Sequence, residues 1–319
     1  MKSVTFLDTA VASTNLGDQI IMEAAESQIR SIIGDAFVHN TSTHDPMFTR
    51  GHKLIRESDY TFVGGSNLLK SRMWLIPQWK IYLFDALFVN DLILFGCGWH
   101  QYQGNVDLYT RLLYRSILSN DWFHSVRDGY TKAKLESIGI TNVINTGCPS
   151  LWNMSPEHCA SIPREKAENV VCTLTIYNPR QSLDLELIKT LRRHYRKVYF
   201  WVQTLGDYEY SKRLDPGLEY IEPSLAGLDK LLHSSEDIDY VGTRLHAGIR
   251  ALQAKRRAII VEIDNRAAEM GRDYGLVTVA RDDFEKLNGL ITSIFDTKIT
   301  LNHESINKWK SQFLDPAQA

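Results

Sequence analysis

Cysteine is scarce in this chain of 319 residues. Only Cys97, Cys148, Cys159 and Cys172 occur, and no two of them form a CxxC pair. That excludes a disulfide scaffold and a zinc ribbon, and three of the four lie in apolar or strand-like runs that suit reduced thiols and a cytoplasmic location. Charge of one sign is missing as well. Thirty-six Lys and Arg against 38 Asp and Glu leave a net charge of −2. No global field draws the chain to nucleic acid or to an anionic membrane, so any anion site must be local. Long hydrophobic runs are also absent. The most apolar window, 81–99, is interrupted by Asp85, Asn90 and Asp91, which excludes an integral membrane segment. Asp8 breaks the apolar N-terminus MKSVTFLDTAVAS, which therefore reads as a first strand and not as a signal peptide. There is no GxSxG elbow, no Walker loop and no GxGxxG. The His39 to Asp45 run lacks metal-ligand spacing and reads as a solvated loop, so no metal site is expected.

What the sequence does contain is an alternation of short β-rich runs with amphipathic stretches. Five such runs (4–10, 60–65, 92–98, 122–128, 143–147) precede a segment broken by Pro149, Pro156 and Pro163, and six more follow (170–175, 197–204, 218–223, 238–243, 257–264, 276–280). Parallel sheets wrapped by helices are built this way. The expected fold is α/β, with two Rossmann-like doubly wound domains facing a central cleft and a C-terminal helix closing the structure. The domains are expected at 1–150 and 169–319, joined by a linker at 151–168.

Ligands of such sheets bind beyond the carboxyl ends of the strands, so residues just after strands are the candidates. After the first strand stand Asn15, Gly17 and Asp18, good turn and cap residues whose glycine also lets a ligand approach the backbone. Gly64, Gly65, Ser66 and Asn67 follow the second run, where bare N–H groups at a strand-to-helix junction could meet an oxygen anion. Arg127 and Asp128 are adjacent beyond the fourth run, so their side chains are expected to diverge, one towards the cleft and one capping a helix.

The stretch VGTRLHAGI, 241–249, is the most constrained. A helix from Leu245 would bury Leu245, Gly248, Ile249 and Leu252, leaving His246 about 100° from Leu245 and outside that stripe. Arg244 then sits at the positive end of the helix, which disfavours a cation by roughly 0.3 to 1 kcal/mol. No acidic residue lies between Tyr240 and Gln253 to compensate. Arg266 is placed in the same way beyond Asp264 and Asn265, so two cations at helix starts call for an external anion.

Taken in order, NLGD (15–18), GGSN (64–67), SVRD (125–128), TGCPSL (146–151) and VGTRLHA (241–247) resemble the polysaccharide pyruvyl transferase family. The resemblance implies a fold similar to GT-B glycosyltransferases and transfer of pyruvate from phosphoenolpyruvate to a saccharide, usually as a ketal on two hydroxyls. It carries the donor-site arginine onto Arg244, the catalytic histidine onto His246 and a further arginine onto Arg127. Asn15, Gly17, Asp18, Gly64, Gly65, Ser66, Asn67, Asp128 and Arg266 are the expected binding residues. Phosphoenolpyruvate is the donor substrate and no cofactor is expected. The acceptor is a saccharide or lipid-linked saccharide, and an oligomer is compatible with the sequence. Two departures stand out: Cys148 where relatives often have aspartate, and Arg266 where they commonly have lysine. A nucleotide-sugar glycosyltransferase and a non-catalytic sugar-binding subunit remain open as alternatives.

Overall fold

The computed structural model describes residues 1–75 and 77–314. Among the described residues twelve strands form two sheets: β1 Lys2–Asp8, β2 Ala36–Ser42, β3 Tyr60–Leu69, β4 Ile93–Trp99, β5 His124–Val126, β6 Val143–Asn145, then β7 Asn169–Thr173, β8 Lys197–Phe200, β9 Glu219–Tyr220, β10 Ile238–Gly242, β11 Ala258–Glu262 and β12 Thr278–Ala280. All pairings are parallel, in the orders β2-β1-β3-β4-β5-β6 and β12-β11-β10-β7-β8-β9. Both are doubly wound α/β sheets, as expected. The direction of travel reverses between β1 and β3 in the first sheet and between β7 and β10 in the second. Crevices for ligands open at such reversals.

The chain divides into two compact units, one of residues 1–13, 21–152 and 301 onward, the other of 14–20 and 153–300. Three features differ from the sequence expectation. The run from His39 to Asp45 is a loop only from 43 on; its first four residues end the edge strand β2, whose side chains are half-buried or exposed, so its period is weak. The last helix, His303–Ser311, belongs to the first unit and not to the second. Aromatic packing decides this: Trp309 stacks on Phe95 with centroids 4.6 Å apart and donates from its indole Nε1 to the Phe123 carbonyl at 2.7 Å. Residues 14–20, expected in the first domain, group with the second unit, where Leu16 N donates to the Gln203 carbonyl at 3.2 Å.

In the first unit, β3 and β4 form the centre, fully covered by apolar side chains such as Val63, Leu94 and Cys97. In the second, β7 and β10 hold the same position around Val170, Cys172 and Val241. Runs that are apolar on both faces form buried parallel strands. The four cysteines are free and buried. Burial pushes the Cys97 thiol up to about 12, so it stays protonated and unreactive at neutral pH. No helix among the described residues is long and apolar enough to cross a membrane.

Candidate functional site

The candidate residues fall into two clusters, one in each unit. In the first, β5 ends at Val126 and the chain turns into the helix Gly129–Glu136. Asp128 is its N-cap: Oδ1 accepts from Thr131 N at 2.7 Å and from Thr131 Oγ1 at 2.6 Å. One helix-terminal N–H and the Thr131 hydroxyl are thereby satisfied. Arg127 does not diverge from it as expected. Its Nε lies 3.6 Å from Asp128 Oδ2, and both side chains are buried. The guanidinium also donates from Nη2 to Asn67 Oδ1. Gly98 makes room for it, since a Cβ there would overlap the guanidinium. Arg127 Nε and Asp128 Oδ2 remain without hydrogen-bond partners despite their burial.

Gly64 and Gly65 do not form a strand-to-helix junction. They lie inside β3, where a Cβ on Gly64 would collide with Met22 and one on Gly65 would come 3.0 Å from Ile21 Cγ2. Their smallness lets the helix Leu16–Ile33 pack closely on the sheet, which is the packing use of glycine. Ser66 has φ of 110°, and the β3–β4 register shifts between Ser66 and Leu69. Bulges of this kind re-aim side chains. Here the consequence is Asn67, which reaches Arg127.

In the second unit, Arg244 is the N-cap of the helix Leu245–Gln253, at the carboxyl end of β10. Its backbone is fixed twice: N donates to Thr173 Oγ1 and to Tyr240 Oη, both at 3.2 Å, while the Tyr240 hydroxyl donates to the Arg244 carbonyl at 2.6 Å. The helix buries Leu245, Gly248, Ile249 and Leu252 as expected, but its first turn is covered all round. His246 is only 6% exposed and so is not an open cleft residue, contrary to the stripe argument.

The charge argument is also corrected. Arg244 Nη2 is ion-paired to Asp207 Oδ2, and Asp207 is itself fully buried, with Oδ1 accepting from Ile176 N at 2.9 Å. Arg266 is paired to Asp264, the N-cap of the helix Asn265–Tyr274, through Nε at 3.0 Å and Nη2 at 2.6 Å. Asp18 adds to the field that keeps Arg266 charged. The anions opposite the two cations are therefore the protein's own carboxylates. Burial alone would raise the Asp264 carboxyl, but the Arg266 guanidinium outweighs it and holds Asp264 down to about 2.

Tyr177, just beyond β7, joins the two arginines and carried no signal in the sequence reading. The Arg244 and Arg266 guanidinium carbons lie 5.3 and 5.7 Å from its ring centroid. Arg266 Nη2 donates to its hydroxyl, which in turn donates to Asp264 Oδ2 at 3.1 Å. Cation–π geometry of this kind orders the guanidinium planes. Tyr177 and Arg244 follow β7 and β10, the two strands at which the second sheet reverses. The topology places them together although they are far apart in the chain.

Asn15 and Gly17 shape the turn beside this cluster: Asn15 Oδ1 accepts from Gly17 N at 3.1 Å, and a Cβ on Gly17 would lie 2.8 Å from Gln203 Oε1. Two groups here are buried without a hydrogen-bond partner, Arg244 Nε and Gln203 Nε2. An unpaired buried donor costs about 1 to 3 kcal/mol, which a ligand oxygen would relieve. Among the described residues no group of three His, Cys, Asp or Glu could hold a metal ion.

No curated protein matches the chain. Among solved structures it is similar to the wall teichoic acid polymerase TagF (10% identity, 98% of this chain and 81% of that one, TM-score 0.41). It is also similar to an O-GlcNAc transferase of Thermobaculum terrenum (12%, 98% and 64%, 0.45) and to the UDP-GlcNAc 2-epimerase of Neisseria meningitidis (13%, 93% and 95%, 0.42). Likeness at this level assigns no activity. The family comparison does more, because it runs from Asn15 to Asn265 and so includes every residue of the two clusters except Arg266: the description polysaccharide pyruvyl transferase matches residues 15–265, and the chain belongs to that family.

Proposed function

We propose that the protein transfers the pyruvyl group of phosphoenolpyruvate to saccharide hydroxyls, closing a ketal, in the synthesis of an exopolysaccharide, capsule or other cell-surface glycan. Family membership supports the transferase class. The observation that carries the donor reading is Arg244: its fork is oriented by Asp207 and stacked on Tyr177, with Nε buried and unpaired at a sheet reversal. A planar fork held in this way suits a carboxylate or a phosphate. Because Asp18, Asp207 and Asp264 already offset Arg244 and Arg266, the donor is held by directed hydrogen bonds and not by surplus positive charge.

The reaction needs a proton delivered to the methylene carbon of the donor, which leaves positive charge on the adjacent carbon. A sugar hydroxyl attacks that carbon and loses its proton. Phosphate departs with the electron pair of its C–O bond, and a second hydroxyl closes the ketal, releasing the second proton. We assign the acid and base steps to His246, in the first turn of the helix that Arg244 caps, since imidazole can serve in both. Arg244 and Arg266 meet the donor's anionic groups and the departing phosphate. Arg127, oriented by Asn67 and Asp128, carries the same guanidinium chemistry in the first unit. Asp128 is assigned to positioning, since one of its oxygens is committed to the cap.

Ligand-induced stabilisation tests the donor. Phosphoenolpyruvate is expected to raise the melting temperature while UDP and GDP leave it unchanged, since only a ligand of the folded state stabilises it. A shift with the nucleotides alone would favour a glycosyltransferase.

A further inference from the structure

The first unit leaves an apolar face uncovered. More than half of the large hydrophobic side chains exposed among the described residues fall between Trp74 and Leu112. Three contacts hold them in one region. The short turn Leu83–Leu87 packs on the helix Leu108–Ile117, with Leu83 N donating to Tyr109 Oη at 3.0 Å. The chain before Trp74 is tied to the start of that helix, where Ser71 Oγ donates to Asp107 Oδ2 at 3.0 Å and Met73 N to Thr110 Oγ1 at the same distance. The Phe84 and Phe88 rings meet edge to face at 5.5 Å. Trp74, Leu75, Phe84, Leu87 and Leu108 are each more than half exposed, which is unusual for side chains of this size in one region.

The exposed charges within 70–90 and 105–116 are basic, and the exposed carboxylate of Asp91 lies just beyond the first of these stretches. Asp85 and Asp107 are the only carboxylates in residues 70–90 and 105–116. Both are turned inward: Asp85 accepts from Tyr82 N at 2.8 Å and lies 3.1 Å from His52 Nε2, and Asp107 caps the helix through Thr110 N at 3.1 Å. Arg72, Arg111 and Arg115 are exposed, and Lys80 is half-buried. The whole chain is nearly neutral, so this is a local field and not a global one.

We propose that this face docks on an anionic lipid bilayer, with the aromatic and leucine side chains entering the interface and the arginines meeting headgroup phosphates. Amphipathic surfaces bind membranes by this combination of apolar area and basic rim. A second copy of the chain fits less well, because a two-fold contact would set the same basic rim against itself. Resting on the function proposed above, docking here brings the first unit to a surface where a lipid-linked saccharide acceptor lies.

Flotation of the full chain with vesicles tests the proposal, using phosphatidylcholine alone and phosphatidylcholine mixed with phosphatidylglycerol. The protein is expected to float with the mixed vesicles at least about tenfold better than with the neutral ones, and to lose that preference at high salt. The double substitution Phe84→Gln with Leu87→Gln should abolish flotation. Arg111→Gln with Arg115→Gln should remove the preference for anionic lipid while thermal unfolding stays unchanged. No flotation with either vesicle, or flotation indifferent to both variants, overturns the proposal. So does a dimer of the wild type that the Phe84 and Leu87 substitutions dissociate without any vesicle binding. Vesicle binding without phosphate release from phosphoenolpyruvate would strike the proposed reaction and leave the docking standing.

Discussion

Arg244 and Asp207, separated by 37 positions in the chain, form a buried ion pair whose two members come from the starts of different helices. The pair explains how a cation is tolerated at a helix N-terminus. It also sets the direction of the guanidinium: Nη2 is held by the carboxylate and Nε is left open.

Asp207→Asn tests this orientation. Removing one charge of a buried pair leaves the other uncompensated, and a loss of about 3 kcal/mol is expected from denaturant unfolding. In the surviving folded protein the KM for phosphoenolpyruvate should rise about tenfold, because a guanidinium out of place positions its ligand badly. An unchanged KM would mean that Asp207 serves stability alone.

Arg244→Lys keeps the charge and removes the fork. The kcat/KM for the donor should fall on the order of a hundredfold, with stability changed much less than in Asp207→Asn. Steady-state kinetics with a fixed acceptor would measure it.

Gly98→Ala reaches the Arg127 guanidinium without replacing it. The added Cβ overlaps that group, and overpacking of a buried site costs about 1 to 3 kcal/mol. Activity is expected to drop together with stability, whereas Gly104→Ala, where a Cβ meets open space, should leave both unchanged.

Acid should weaken the second unit through Asp264. The carboxyl is depressed to about 2 when folded, below its ordinary value near about 4, so its contribution is complete above that ordinary value. As pH falls from about 4 towards 2, about 2 kcal/mol of stability should disappear. In Asp264→Asn that part of the acid dependence should be absent from urea unfolding measured across this range.

Much of this arrangement was legible in the chain. Eleven of the strands announced themselves as apolar runs ending in small residues, because buried parallel strands need no alternation. The boundary at Arg244 followed from the stripe Leu245, Gly248, Ile249 and Leu252, and the caps at Asp128 and Asp264 from residue type. β2 escaped because AFVHNTS lies at a sheet edge with its side chains only half covered. The Gly64–Gly65 pair misled because glycine marks a turn and a close packing contact alike. Tyr177 carried no signal, since what brings it to Arg244 is the reversal of the sheet between β7 and β10, and Asp207 carried none because it stands beyond β8, 37 positions from Arg244. Asp264 stood in view two positions before Arg266, but its residue type marks it as a helix cap and not as the counter-ion of that arginine.

The central claim is a phosphoenolpyruvate-dependent transfer in which His246 moves the protons. The most direct test is phosphate release from phosphoenolpyruvate, measured for the wild type and for His246→Ala against a panel of glycosides and lipid-linked saccharides. The account predicts acceptor-dependent release by the wild type and a fall on the order of a hundredfold or more in His246→Ala. Release by the variant at the wild-type rate would contradict it.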